Sequence, residues 1–321
     1  MPTPTDSPFR CLIIDLMHES LLPMLKEVGV EATYLPEVKK EDVPALLPEY
    51  QMLVVRSKMR ITADLLNHAP NLKVLARAGA GVDNIDDGVL EARNVTLINA
   101  PEGNRDAVGE HTLGSLLTLF RKITQGDRQI RQGQWRREDN RGEEIGGKTI
   151  GLIGYGHMGK SFAKRLVGFD CEVLAYDRQP VENPFPHVQL ASLEELQQQA
   201  QVLSLHLPYT KENHHYINNQ VLSRFQHPLW LLNTARGEVL DHAALVEALK
   251  TGKVRGAALD VLENEKLKTL TPEQQERLSY LFEHPRVVLT PHIAGWTRES
   301  YVRINEVLVE KLKAYLTSRN N

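Results

Sequence analysis

Short apolar runs alternate with amphipathic stretches along nearly the whole chain, as expected where buried parallel strands are joined by crossover helices. In the first third, the runs Cys11–Asp15, Glu31–Tyr34, Met52–Val55, Leu72–Ala76 and Thr96–Ile98 predict strands. Stretches of helical period, such as Ser20–Val28 and Thr62–Ala69, lie between them. Beyond Pro101 the pattern lengthens into one predicted helix, Asp106–Gly126, with Val108, Leu113, Leu116, Leu117 and Phe120 at apolar positions. A charged, glycine-interrupted segment follows as far as Gly147 and carries Arg128, Arg131, Arg136, Arg137 and Arg141. The alternation then resumes, with strands predicted near residues 149–153, 171–176, 201–206, 228–233, 254–259 and 287–290. Asp241–Gly252 has an N-cap acid, a helical period and a terminating glycine. From about Trp296 the chain reads as an amphipathic helix.

This order predicts an α/β protein of two Rossmann-like, doubly wound parallel-sheet domains with a cleft between them, ligands binding at the carboxyl ends of the strands. A length of 321 residues agrees with two domains, and 41% apolar content is ample for two cores. A net charge of −3 gives no reason to expect a nucleic-acid or membrane partner. The two cysteines, Cys11 and Cys171, sit alone in separate apolar runs, the usage of a reducing compartment. The first residues, through Pro8, form a polar, proline-rich tail without the basic and apolar regions of a signal peptide. A cytoplasmic protein is the expectation. His214, His215 and the scattered histidines lack metal-ligand spacing, so no metal is expected.

The most specific chemistry lies at Thr149-Ile-Gly-Leu-Ile-Gly154-Tyr155-Gly156-His157-Met158-Gly159. A strand here would run through a glycine turn into a helix. Gly154 allows the sharp turn, Gly156 lets backbone approach a pyrophosphate, and Gly159 lets helix and strand pack closely. The free amides and positive dipole of the helix start would hold the phosphates. Asp177 closes the next apolar run, about twenty residues on, where a carboxylate can bind ribose hydroxyls. That carboxylate would repel a 2′-phosphate, so the expected cofactor is NAD rather than NADP, with the adjacent Arg178 the one feature pointing the other way.

Three further residues fall at predicted strand ends. Arg236 follows the apolar run from Leu229, Glu265 lies just past Ala257–Leu262, and His292 follows Val287–Pro291. The segments Asn233–Glu238, Ala258–Glu265 and Leu289–Gly295 resemble, in order and separation, three signatures of the D-isomer-specific 2-hydroxyacid dehydrogenases. Val55-Arg56-Ser57, Arg77–Asp86 and Ser204–Pro208 resemble further motifs of that family, so the likeness covers nearly the whole chain. Within it, the Arg56 and Gly79–Asp86 segments look most like the branch that oxidises 3-phosphoglycerate for serine synthesis, in a short form without a C-terminal regulatory domain.

The resemblance implies roles that physical chemistry supports. Arg236 would grip the substrate carboxylate and 2-oxygen with its planar fork. His292 would exchange the hydroxyl proton as general base and acid, while Glu265 binds its other ring nitrogen and raises its pKa. Arg56 and Ser57, with the backbone amides of Ala80, Gly81 and Val82, would bind the substrate; Lys58 and Arg105 are further candidate cations for a phosphate. Tyr155, His157 and Met158 in the turn, with His206, Pro208, Thr234, Ala235 and Asp260, match cofactor-lining positions. Residues 1–101 and 296–321 would form a flavodoxin-like substrate domain and 102–295 the NAD-binding domain. The long helix would lie at a homodimer interface, which the Trp135–Arg137 region would cross. The chain departs from the family at Lys266, where a proline usually follows the glutamate, leaving Glu263 as an alternative partner for the histidine. Two other readings stand beside 3-phosphoglycerate oxidation: a glyoxylate or hydroxypyruvate reductase, and an NAD(H)-sensing module such as a corepressor.

Overall fold

The computed structural model describes residues 8–319, so the tail before Pro8 lies outside the described residues. The chain divides into two compact units, one made of residues up to Asn104 together with those from Trp296, the other of Arg105–Gly295. Both are parallel-sheet α/β folds, as the alternation predicts.

In the first unit the strands are β1 (Phe9–Ile13), β2 (Val30–Tyr34), β3 (Met52–Val55), β4 (Val74–Arg77) and β5 (Thr96–Asn99). They pair in the order β2-β1-β3-β4-β5, all parallel, so the order reverses between β1 and β3. Side chains alternate between faces, and both faces are buried. Cys11 and Ile13 pack on one side with Ile304, Leu308 and Leu312 of the helix Arg298–Arg319. Leu12 lies on the other with Leu47, Leu65 and Leu75. Each such leucine or isoleucine contributes about 1.5–3 kcal/mol by leaving water, which fastens the returning C-terminal helix to this sheet.

In the second unit the strands are β6 (Thr149–Ile153), β7 (Glu172–Tyr176), β8 (Val188–Leu190), β9 (Val202–Leu205), β10 (Leu229–Asn233), β11 (Val254–Leu259) and β12 (Val287–Leu289). The order β12-β11-β10-β9-β6-β7-β8 reverses between β6 and β9, the arrangement of a dinucleotide-binding sheet with one added edge strand. The expected helix Asp106–Gly126 is displaced. It starts at Pro101, because proline is tolerated in a first turn, and ends at Arg121. Lys122, at φ 51°, interrupts the hydrogen-bond ladder, and a second helix, Ile123–Arg131, runs from the end of the expected helix into the charged segment after it. Strand β8 was not expected, since its three residues are too few for a period to show. Among the described residues no helix is long and apolar enough to cross a membrane.

Candidate active site

The turn after β6 is tightly built on its protein side. Gly154 has φ +93°, and a Cβ there would lie 2.5 Å from the His206 carbonyl oxygen, just past β9. A Cβ on Gly159 would lie 2.2 Å from the Gly154 carbonyl oxygen. A Cβ on Gly156 would meet nothing within 4 Å, so of these three glycines it alone borders open space. The helix His157–Arg165 begins directly after it, and the first amides of a helix have no acceptor within it. Asp177, past the end of β7, accepts the Tyr155 amide at 2.8 Å and the Gln179 amide at 3.0 Å, which holds its carboxylate beside the turn. An open cradle of amides next to a fixed carboxylate fits a dinucleotide. Tyr155 faces the other way: it is fully buried, and its hydroxyl donates to Asn183 at 2.9 Å. The His206 ring meets Ser204 Oγ at 2.9 Å, and burial pushes its pKa down to about 3, so it stays neutral.

Strand β10 ends in Asn233, whose buried side chain braces the next turn. Its amide nitrogen donates to the Arg236 carbonyl at 2.9 Å, and its oxygen accepts the Ala235 amide at 3.0 Å. Arg236 is half-buried at the end of that turn. Thr234 contacts the Thr112 hydroxyl at 3.0 Å.

His292 and Glu265 come together. His292 Nδ1 donates to the Glu265 carboxylate at 2.8 Å, which leaves Nε2 as the nitrogen open to proton exchange. The Glu265 carboxylate raises the His292 pKa above its ordinary value, against the lowering effect of burial and of Arg236. His292 sits at φ +55°, a left-handed conformation that a non-glycine residue holds only when its surroundings impose it. Asp260, 2% exposed, imposes it. Its carboxylate accepts the Thr290 hydroxyl at 2.6 Å and the amides of Ile293 and Ala294 at 2.9 and 2.8 Å, and its carbonyl accepts the His292 amide at 2.8 Å. Read in the sequence as a cofactor-lining residue, Asp260 has its carboxylate engaged by this loop.

Glu263 has different partners. It lies 2.9 Å from His215 Nε2 and 4.0 Å from both His242 Nδ1 and Arg277, and it accepts the His242 amide at 2.8 Å. His215, Asp241 and Glu263 thus gather within 4.8 Å although far apart in sequence, but the arginine beside them makes the group an ion-pair network.

Of the substrate-binding residues expected from the sequence, Arg56, Ser57, Ala80, Gly81 and Val82 lie in the first unit, and Arg236 and Arg105 in the second. Arg56 and Ser57 follow β3, and their amides donate to Asp15, past β1, at 2.8 and 3.4 Å. Ala80, Gly81 and Val82 follow β4, where among the described residues their amides meet no protein acceptor. Successive amides without a protein acceptor are groups that an anion can use. Lys58 does not join them: its ammonium donates to the carbonyls of Pro36 and Val38. Arg105 is exposed. Sequence reasoning missed Asp260 as the brace of the His292 loop, although an acid closing the apolar run Val254–Leu259 was a visible signal. It also missed Trp296, whose ring stacks on Arg56.

Residues 113–294 match the family described as D-isomer specific 2-hydroxyacid dehydrogenase, NAD binding domain. The chain is 34% identical to a D-3-phosphoglycerate dehydrogenase of Archaeoglobus fulgidus over 94% of its own length, yet it spans only 56% of that relative. It is 40% identical to a glyoxylate reductase of Thermofilum pendens, covering 96% of this chain and 91% of the relative. In structure it is similar to a D-lactate dehydrogenase from Aquifex aeolicus complexed with NAD and lactic acid, with a TM-score of 0.80, 28% identity and 96% of each chain covered. The family match alone takes in more than half of the chain and contains the turn at Gly154 and the His292–Glu265 pair, so the chain belongs to the D-isomer specific 2-hydroxyacid dehydrogenases.

Proposed function

We propose that this chain transfers a hydride between NAD and C2 of a small D-2-hydroxy acid, and the observation that carries the reading is the His292–Glu265 pair. A bound nicotinamide supplies or accepts the hydride at its ring carbon. Gly154–Gly159 and the helix after them would hold its pyrophosphate, and Asp177 a ribose. His206, Pro208, Thr234, Ala235 and Asp260 are the further cofactor residues of this reading. The charge of Asp177 is the argument for NAD over NADP. On the substrate side, Arg56 and Ser57 bind the substrate, the amides of Ala80–Val82 bind its carboxylate, and Arg236 holds the carboxylate and 2-oxygen. When a 2-oxo acid is reduced, His292 delivers a proton from Nε2 to that oxygen; in the reverse direction Nε2 takes it back. Residues 1–101 with 296–321 form the substrate domain, and 102–295 the cofactor domain.

Because reduction needs protonated His292, kcat/KM for a 2-oxo acid should fall as pH rises through its raised pKa. Glu265→Gln removes the charge that raises it. The decline in the pH profile should therefore move to lower pH, with kcat at neutral pH reduced about 10²-fold. A variant profile that overlays the wild type would dismiss Glu265 as the histidine's partner.

For the substrate, 3-phosphoglycerate rests on the likeness of the Arg56 and Gly79–Asp86 segments, and on relatives such as the Archaeoglobus fulgidus enzyme. A specific observation favours unphosphorylated glyoxylate or hydroxypyruvate: the Lys58 ammonium is already bound to two carbonyls, so it is not available as a second cation beside Arg56 for a phosphate. NADH oxidation with 3-phosphohydroxypyruvate, hydroxypyruvate and glyoxylate side by side decides between them. A preference for either class fixes the substrate. Tight NADH binding with no turnover on any of the three would replace the enzyme reading by that of an NAD(H)-sensing module. A homodimer is the matching assembly, since Ile123, Ile130 and Trp135 are more than half exposed.

A further inference from the structure

Arg56 is held in an unusual way for a half-buried cation. Its carbon Cζ lies 3.8 Å from the centroid of the Trp296 ring and 5.2 Å from that of Tyr301. The two rings lie 5.8 Å apart with an interplanar angle of 36°. Tyr301 is itself anchored, its hydroxyl donating to the Leu16 carbonyl at 2.7 Å and its ring meeting His18 edge-on. From below, the Asp15 carboxylate fixes the backbone by accepting the amides of Arg56, Ser57 and Lys58. Among the described residues, no carboxylate forms an ion pair with the guanidinium. The group lies at the carboxyl ends of β1 and β3, where the strand order of the first sheet reverses, and such reversals are where doubly wound sheets bind ligands.

We propose that Trp296 and Tyr301 are positioning residues: an aromatic shelf that fixes the plane of the Arg56 guanidinium, so that its N–H edge is presented to the anionic end of a 2-oxo acid. A guanidinium offers donors only in its plane, and its faces are weakly hydrated. Covering a face with an indole ring therefore leaves the in-plane donors available, apart from the one engaged by the Tyr301 side chain, whereas pairing with an acid would occupy more of them. The cation–π contact also holds a long, otherwise mobile side chain in one rotamer before substrate arrives, and this reduces the ordering cost of binding. Trp296 is 59% exposed, which is costly for an indole on a surface and agrees with a ring placed to serve a neighbouring group. The inference rests on the reading of Arg56 as a substrate ligand.

The test is steady-state reduction of the preferred 2-oxo acid by wild type and by Trp296→Ala, Trp296→Leu, Trp296→Phe and Arg56→Ala. Arg56→Ala should raise KM by tenfold or more. Trp296→Ala should raise KM about fivefold to tenfold, with kcat within about twofold and NADH affinity unchanged. Trp296→Leu keeps apolar bulk without a π face and should resemble alanine, whereas Trp296→Phe should recover most of the wild-type KM. If Arg56→Ala raises KM but the three Trp296 variants match wild type, the shelf is rejected while Arg56 remains a ligand. A leucine as good as phenylalanine reduces Trp296 to packing and also rejects the shelf. No change in KM for Arg56→Ala removes the substrate reading of Arg56, and the shelf with it.

Discussion

His292→Asn is expected to lower kcat by about 10³-fold or more, with NADH affinity within about twofold of wild type. Asparagine is the informative replacement because of the backbone. His292 occupies φ +55°, and asparagine is among the few residues that accept a left-handed conformation without marked strain. The loop should persist, because the Asp260 carboxylate still receives Thr290, Ile293 and Ala294, and the backbone amide at position 292 still reaches its carbonyl. What disappears is a group that exchanges a proton near neutral pH. Steady-state turnover with an NADH fluorescence titration checks both halves. Unimpaired turnover would end the proton-transfer role of His292, and loss of NADH binding together with turnover would mean that the loop itself had collapsed.

Gly159→Ala should weaken NADH binding more than 100-fold and destabilise the second unit by about 1–3 kcal/mol. The added methyl would stand 2.2 Å from the Gly154 carbonyl oxygen, a backbone atom that cannot swing aside. The turn must open or the helix must withdraw, and either displaces the amides from the phosphate cradle. Gly156→Ala is the control. With nothing within 4 Å of its would-be Cβ, it should melt within a few degrees of wild type and lose only cofactor affinity. Thermal melts of both variants beside NADH titrations separate a glycine needed for packing from one needed for ligand approach. Equal melting temperatures would contradict the close packing at Gly159.

Much of this was legible in the chain because the signals are local. Apolar runs such as Met52–Val55 and Leu229–Asn233 are buried on both faces of a parallel sheet, and such strands announce themselves by composition alone. The helix Pro272–Glu283 also carries a local start signal, Thr271 and Gln274 forming a reciprocal cap with proline at the first position. The break at Lys122 carried none, since a lysine in a left-handed conformation is a product of packing.

The sequence by itself determined the fold class, the glycine turn with its acid at Asp177, and the family, because each depends on residues close in the chain or on motifs in a set order. Only the tertiary structure decided which groups meet. Glu265 rather than Glu263 faces His292, though only Asn264 separates them in the chain, because Glu263 is drawn to His215, His242 and Arg277. Lys58 lies two positions after Arg56, yet it turns to the Pro36 and Val38 carbonyls. Trp296, distant from Arg56 in the chain, covers its guanidinium. Such pairings are set by how strand ends and helices pack, a property no local stretch of sequence records.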